Sequence, residues 1–317
     1  MLWDIASVGL GLGILLLAGD ALVKGAVNLS LRLGVPAMIV GLTVVAFGTS
    51  APELLVSVQA VLVGAPALGL GNVVGSNTAN ILLVLGVPAL IAAVPVARGT
   101  VTRDYLGMMA ATLFFLAVAA LGPIRWPHAL ALLAGLGLML GDAFLRARAH
   151  RNGPGEVEVE GAEPGMPWPR VALLTGLGLI GLPLGADLLV DGSVAIATVL
   201  GVSEAVIGLT LVAVGTSLPE LATTVMAAIR REAGVALGNV IGSNMFNLLG
   251  IIGVAGLFGA IPVPPEMWAR DLLVMVGASA LLAWFVFTGR SVGRWAGLGL
   301  LALYAGYLGL LAMGVGT

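Results

Sequence analysis

Glu53 and Glu220 stand where an apolar chain is least able to accommodate them, each inside a long hydrophobic stretch (36–64 and 203–229). An ionisable side chain at the centre of a bilayer costs about 2.5–3.5 kcal/mol, so it faces protein or a water-filled cavity rather than lipid. Two of them in matching surroundings point to one shared purpose. Each closes a Thr-Ser-x-Pro-Glu run, with Thr49, Ser50 and Pro52 before Glu53, and Thr216, Ser217 and Pro219 before Glu220. On a helix this spacing gathers both hydroxyls and the carboxylate within one turn. Proline has no N–H and clashes with the carbonyl four residues back, which releases the Gly48 and Gly215 carbonyls from the helix ladder. Hydroxyl, carbonyl and carboxylate oxygens aimed at one small volume are the donor set that hard cations such as Ca2+ and Na+ require.

Two polar pairs extend this set. Ser76 and Asn80, like Ser243 and Asn247, are four residues apart, so hydroxyl and amide share a helix face. Asn72, Asn77, Asn239 and Asn244 lie elsewhere on the same helices, in positions suited to hydrogen bonds between helices. That use is open to every Ser and Thr here as well, because hydroxyls in a membrane satisfy their own backbone or join neighbouring helices. Asp20 and Asp187 match each other too, but each lies about a turn from the end of an apolar segment, where interfacial anchoring accounts for it.

A repeat positions these residues. GLTVVAFGTSAPEL at 41–54 recurs as GLTLVAVGTSLPEL at 208–221, identical at eleven of fourteen positions, and GNVVGSNTAN at 71–80 recurs as GNVIGSNMFN at 238–247. Both are displaced by 167 residues, and the same offset aligns Pro95 with Pro262 and Arg103-Asp104 with Arg270-Asp271. The 317-residue chain is 59% hydrophobic and 9% charged, with a mean hydropathy of +1.11, which places it in a lipid bilayer. The absence of cysteine excludes disulfides, thiolate metal sites and a cysteine nucleophile, and two histidines leave little room for zinc or imidazole chemistry. Nothing resembles a basic nucleic-acid surface.

Ten stretches reach the roughly 20 apolar residues that a helix needs to span. They lie near 3–25, 36–64, 68–94, 103–121, 126–145, 170–198, 203–229, 235–261, 268–288 and 292–315. The N-terminus lacks the basic region of a cleavable signal and is expected to stay as the first helix. The polar break at 146–169 divides the chain into a first repeat (1–145), a linker and a second repeat (170–317). Its glutamates (Glu156, Glu158, Glu160, Glu163) lack the ligand alternation of an EF-hand loop and read as a solvated linker. Counting Lys and Arg by side puts twelve in the loops after segments 1, 3, 5, 7 and 9 and two, Arg125 and Arg270, on the other side. The linker is therefore expected in the cytoplasm and both termini outside. Five segments per repeat force the second to enter the membrane from the opposite side, so the expected fold is an all-α membrane protein of ten transmembrane helices in two inverted-topology repeats. Folds of that type bind substrate at the midplane, on interrupted helices.

The blocks GTSxPE and GNxxGSNxxN, each present twice, resemble the alpha repeats of the cation/calcium exchanger superfamily, above all its Na+/Ca2+ exchanger branch. That resemblance implies a transporter, not an enzyme, with no cofactor, which exchanges Na+ for Ca2+ across the cell membrane as segments 1 and 6 slide over the rest. By motif position it implies a cluster of cation sites built from the carboxylates of Glu53 and Glu220, the hydroxyls of Thr49, Ser50, Ser76, Thr216, Ser217 and Ser243, the amides of Asn80 and Asn247, and the backbone carbonyls of Ala46 and Ala213. Relatives that co-transport K+ carry an aspartate where this chain has Asn247, so K+ is not expected. Members coupled to H+ carry a different first block, which puts Na+ ahead of H+ as counter-ion. The expected unit is a monomer in the lipid bilayer. A channel is disfavoured by broken helices in inverted repeats, and an intramembrane serine protease by the lack of a His or Lys at depth.

Overall fold

A computed structural model describes residues 2–96, 99–151, 163, 165–200 and 213–314. The described chain is helical apart from two short antiparallel bridges, Val94 with Val292 and Ile124 with Ile261. The helices are α1 (Leu2–Leu33), α2 (Ala37–Thr49), α3 (Ala51–Leu62), α4 (Pro66–Ile91), α5 (Thr100–Ala120) and α6 (Trp126–Arg151). They continue with α7 (Trp168–Val199), α8 (Ala213–Gly215), α9 (Leu218–Ile229), α10 (Ala233–Phe258), α11 (Met267–Thr288) and α12 (Arg294–Gly314). Among the described residues eight of them are long and apolar enough to cross a membrane, and α2 with α3, bent by 44°, passes the same test only when the two are taken together. The first part of the expected seventh segment, 203–212, lies outside the described residues, and α8 and α9 form its remainder. Half of the expected linker, 152–162 and 164, also lies outside them.

The centre is α4 and α10. Within their most apolar stretches 72% and 89% of residues are buried, against 22% for α6, α7 and α12, so these last helices form the periphery. Small residues let the central helices touch. A Cβ on Gly242 would fall 2.4 Å from the Leu42 carbonyl oxygen, and one on Gly238 2.6 Å from that of Met38, so α10 lies with its backbone directly on α2. The long pair α1 and α7 crosses in the same manner. Gly11 sits on the Leu189 backbone and Gly178 on that of Leu22, each approach leaving under 3 Å for an added Cβ. These two contacts exchange into one another under the 167-residue offset.

Two local devices interrupt the helices near the polar motifs. Between α2 and α3 the axis bends by 44° at Ser50, whose φ of −85° and ψ of 6° leave the helical range. Ser217 opens α9 with nearly the same angles, −88° and 5°. Pro52 and Pro219 therefore fall in the first turn of a new helix, where the missing N–H costs nothing. The second device is a widened turn. Val84 N–H donates to the Ala79 carbonyl five residues back, and Phe246–Ile251 forms a π-type stretch. Asn80 and Asn247 each lie in such a turn, a feature common at functional sites.

Candidate functional site

The helix starts after Ser50 and Ser217 put Glu53 and Glu220 in the first turns of α3 and α9. Exposed N–H groups make that end of a helix electropositive, a suitable place for a carboxylate. Both side chains are fully buried, at 0% and 1% exposure. Neither carboxylate oxygen of Glu53 has a hydrogen-bond partner, and Glu220 has one bond, from Ser50 Oγ to Oε1 at 3.1 Å, with Oε2 unpaired. The Ser50–Glu220 bond joins the two motifs across 170 positions of chain.

Most of the other expected side chains are buried as well. Thr49, Ser50, Ser76, Ser217, Ser243, Asn80 and Asn247 are buried to 3% exposure or less. The Oγ1 of Thr216, the Oγ atoms of Ser217 and Ser243, and the Oδ1 atoms of Asn80 and Asn247 are buried without a partner. Leaving one such atom unsatisfied costs about 1–3 kcal/mol. Unpaired oxygens of this kind, together with the unpaired carboxylate oxygens of Glu53 and Glu220, fit a positively charged ligand that takes oxygen donors. Among the described residues no group of three or more His, Cys, Asp and Glu side chains exists, so any cation held here rests on two carboxylates and neutral oxygens.

Not every expected donor is free. The Ala46 carbonyl accepts from Ser50 N–H at 3.1 Å and from Thr49 Oγ1 at 3.3 Å, and Thr49 Oγ1 also lies 3.1 Å from Asn239 Oδ1. Ala213 opens α8, at the edge of the described residues. The bend at Ser50 and the proline positions agree with a loosened turn at Gly48.

The remaining asparagines bind helices to one another. Asn72 Nδ2 donates to the Glu53 carbonyl at 3.5 Å and to Ser57 Oγ at 3.3 Å; Asn239 Nδ2 donates to the Glu220 carbonyl at 3.3 Å and to Thr224 Oγ1 at 3.1 Å. Each member of the first set maps onto the second by 167 residues. The first turn behind each glutamate is thus held from α4 or α10. Ser57 and Thr224 were not among the expected residues, although their offset marks them. Asn72 is half-buried on a cavity of about 220 Å³ that also touches Ser76, Asp271 and Tyr307, whereas Asn239 is fully buried.

Several charged residues outside this centre are paired. Asp20 accepts Lys24 Nζ at 3.0 Å and Arg230 Nε at 2.6 Å, and Asp104 accepts Arg146 Nη1 at 2.7 Å. Asp271 is bound by Arg270 at 3.0 Å and by Tyr307 Oη at 3.1 Å.

The sequence profile described as "Sodium/calcium exchanger protein" matches residues 3–141 and 170–313. The chain belongs to this family. It is 37% identical over 307 residues to the putative antiporter CaxA of Alkalimonas amylolytica, covering 95% of this chain and 96% of that protein. It is 34% identical over 339 residues to the sodium/calcium exchanger MaX1 of Methanosarcina acetivorans, covering 95% and 96%. Among solved structures it is similar to the sodium-calcium exchanger NCX_Mj soaked without Na+ and Ca2+, with a TM-score of 0.79 and 34% identity over 96% of this chain and 98% of that one. As a sodium/calcium exchanger family member, the chain is an integral membrane transporter and not an enzyme.

Proposed function

We propose that the chain exchanges Na+ for Ca2+ across the plasma membrane by alternating access at a site between Glu53 and Glu220. The observation that carries this reading is the pair of buried glutamates, one of them bonded to Ser50 of the opposite motif, together with buried hydroxyl and amide oxygens that lack partners. The ligands are the two carboxylates, the hydroxyls of Thr49, Ser50, Ser76, Thr216, Ser217 and Ser243, the amides of Asn80 and Asn247, and the Ala46 and Ala213 carbonyls. Two ionised carboxylates carry about −2, which one Ca2+ or two Na+ neutralise. A neutralised site passes the apolar barrier and an empty, charged one resists it. Competition for the same oxygens then couples the two fluxes.

Ten spans in two inverted five-helix repeats, 1–145 and 170–317, place the two motifs face to face, with the linker 146–169 in the cytoplasm, both termini outside and the monomer as the working unit. The contacts that exchange under the 167-residue offset support that arrangement. The glycine-lined crossing of α1 and α7 supports a sliding pair, because backbone contact without interlocking side chains leaves a smooth surface.

Proteoliposomes loaded with Na+ and given labelled Ca2+ outside test the proposal. Uptake that disappears when the Na+ gradient is abolished is the expected result. Uptake that ignores Na+ and follows an imposed pH gradient overturns the choice of counter-ion, and steady single-channel currents overturn the carrier mechanism.

A further inference from the structure

Where α4 crosses α10, two asparagines outside the cation ligands clasp each other's backbone. Asn77 Nδ2 donates to the Asn244 carbonyl at 3.1 Å, and Asn244 Nδ2 donates to the Asn77 carbonyl at 3.4 Å. These reciprocal bonds use the amide nitrogens and leave the amide oxygens over. Asn244 Oδ1 accepts from Asn80 Nδ2 at 3.0 Å. All three side chains are buried to 1% exposure, and Asn80 Oδ1 is left without a partner.

An asparagine amide has an oxygen face that binds a cation and an NH2 face that repels one, nearly identical in shape. Packing alone does not choose between them. At Asn80 the choice is made by Asn244: its nitrogen is tied to the α10 side chain, and a flipped amide would set two oxygens against each other in a buried place. We propose that Asn244, itself fixed by Asn77, is a positioning residue that turns the Asn80 amide oxygen toward the cation. The inference rests on the site assigned above and adds what sets the polarity of one neutral ligand.

Equilibrium Ca2+ binding to the purified full-length protein tests this through a double-mutant cycle. A carboxylate has no wrong face, so Asn80→Asp removes the need for an orienting partner. Asn244→Ala is expected to weaken Ca2+ binding about tenfold when Asn80 is present, the effect of one lost buried hydrogen bond to a ligand. In the Asn80→Asp background the same substitution is expected to weaken Ca2+ binding less than threefold or to strengthen it, because it removes the Asn244 oxygen that faces the new carboxylate. An equal loss in both backgrounds identifies a packing role and overturns the inference, as does an unchanged Kd in the single variant. Where Asn244→Ala is not recovered as monodisperse protein, Asn244→Ser supplies the same cycle. A wild-type protein that binds no Ca2+ instead overturns the proposed function, so the two failures are distinct.

Discussion

Glu53→Gln separates the cost that this carboxylate imposes on the fold from its benefit to the ligand. The side chain is fully buried and neither oxygen is paired, so no protein donor competes with a cation for it. Glutamine keeps the shape, removes one of two formal charges and turns one acceptor into a donor. Deleting one partner of a buried charge pair costs about 3–5 kcal/mol. That corresponds to Ca2+ binding weakened about 10²- to 10⁴-fold. Coulomb energy is proportional to the charge of the cation, so the penalty for Na+ is about half in free energy, or roughly 10- to 10²-fold. The variant should therefore shift selectivity toward Na+ as well as lose affinity. Stability should move the other way: without ions the unpaired buried carboxyl is a burden, and the variant should melt at a higher temperature than wild type in chelated buffer. Isothermal titration with Ca2+ and competition by Na+ give the affinities, and thermal unfolding in detergent gives the stability. A variant that keeps Ca2+ affinity within about threefold of wild type, or loses both cations equally, refutes the assignment of Glu53 as a charged ligand. A lower melting temperature in ion-free buffer refutes the claim that its oxygens lack protein partners.

Three further substitutions probe what surrounds the site. Gly242→Ala places a Cβ 2.4 Å from the Leu42 carbonyl and 2.7 Å from Ala46 Cβ, so it should cost about 1–3 kcal/mol by overpacking, whereas Gly9→Ala, with open space around it, should leave the melting temperature unchanged. Equal melting temperatures for the two variants contradict the close contact of α10 with α2. Arg146→Met leaves the buried Asp104 without its cation and should destabilise by about 3–5 kcal/mol, while adding Asp104→Leu should recover most of the loss in thermal unfolding. Arg230→Ala should cost less than about 1 kcal/mol on the same measurement, because the pair is part-exposed and Lys24 still holds Asp20.

Local chemistry was legible in the residue order. Eight of the ten apolar stretches lie on single long helices among the described residues, the first of them running eight residues beyond its expected end, and the break at Thr-Ser-x-Pro followed from proline, which cannot sit inside an unbroken hydrogen-bond ladder. Periodicity does not reveal which far residue an amide meets. That Thr49 reaches Asn239, that Ser50 bonds Glu220 rather than Glu53, and that Asn80 is tied by its nitrogen all depend on how helices cross, and the crossings depend on glycines such as Gly238 and Gly242. The wide turns carrying Asn80 and Asn247 have no mark in composition, because a single displaced hydrogen bond needs no special residue. The repeat offset was the one long-range signal available. It pairs Ser57 with Thr224 and Asn72 with Asn239, the residues found bracing the two glutamates.

Matching motifs need not hold identical contacts. α1 packs along α9, with Gly19 against the Ala222 backbone and Asp20 on Arg230. α7, its counterpart by sequence, makes no comparable contact with α3 among the described residues and instead sets Leu179 over Gly48 and Val190 over Gly215. Under the proposed alternating access, exchanging the two arrangements would yield a second state from the same sequence. The difference cannot come from the cation motifs, which match. Beside this contact the repeats diverge: Arg230 corresponds to Val63, so Asp20 meets a cation where the position matching it for Asp187 holds a valine. The resulting pair is part-exposed, with side chains 32% and 24% accessible, and such pairs contribute little. A strong, dry ion pair at that position would trap one state. A weak one favours it while leaving the other within reach, which is the energetic condition a carrier has to meet.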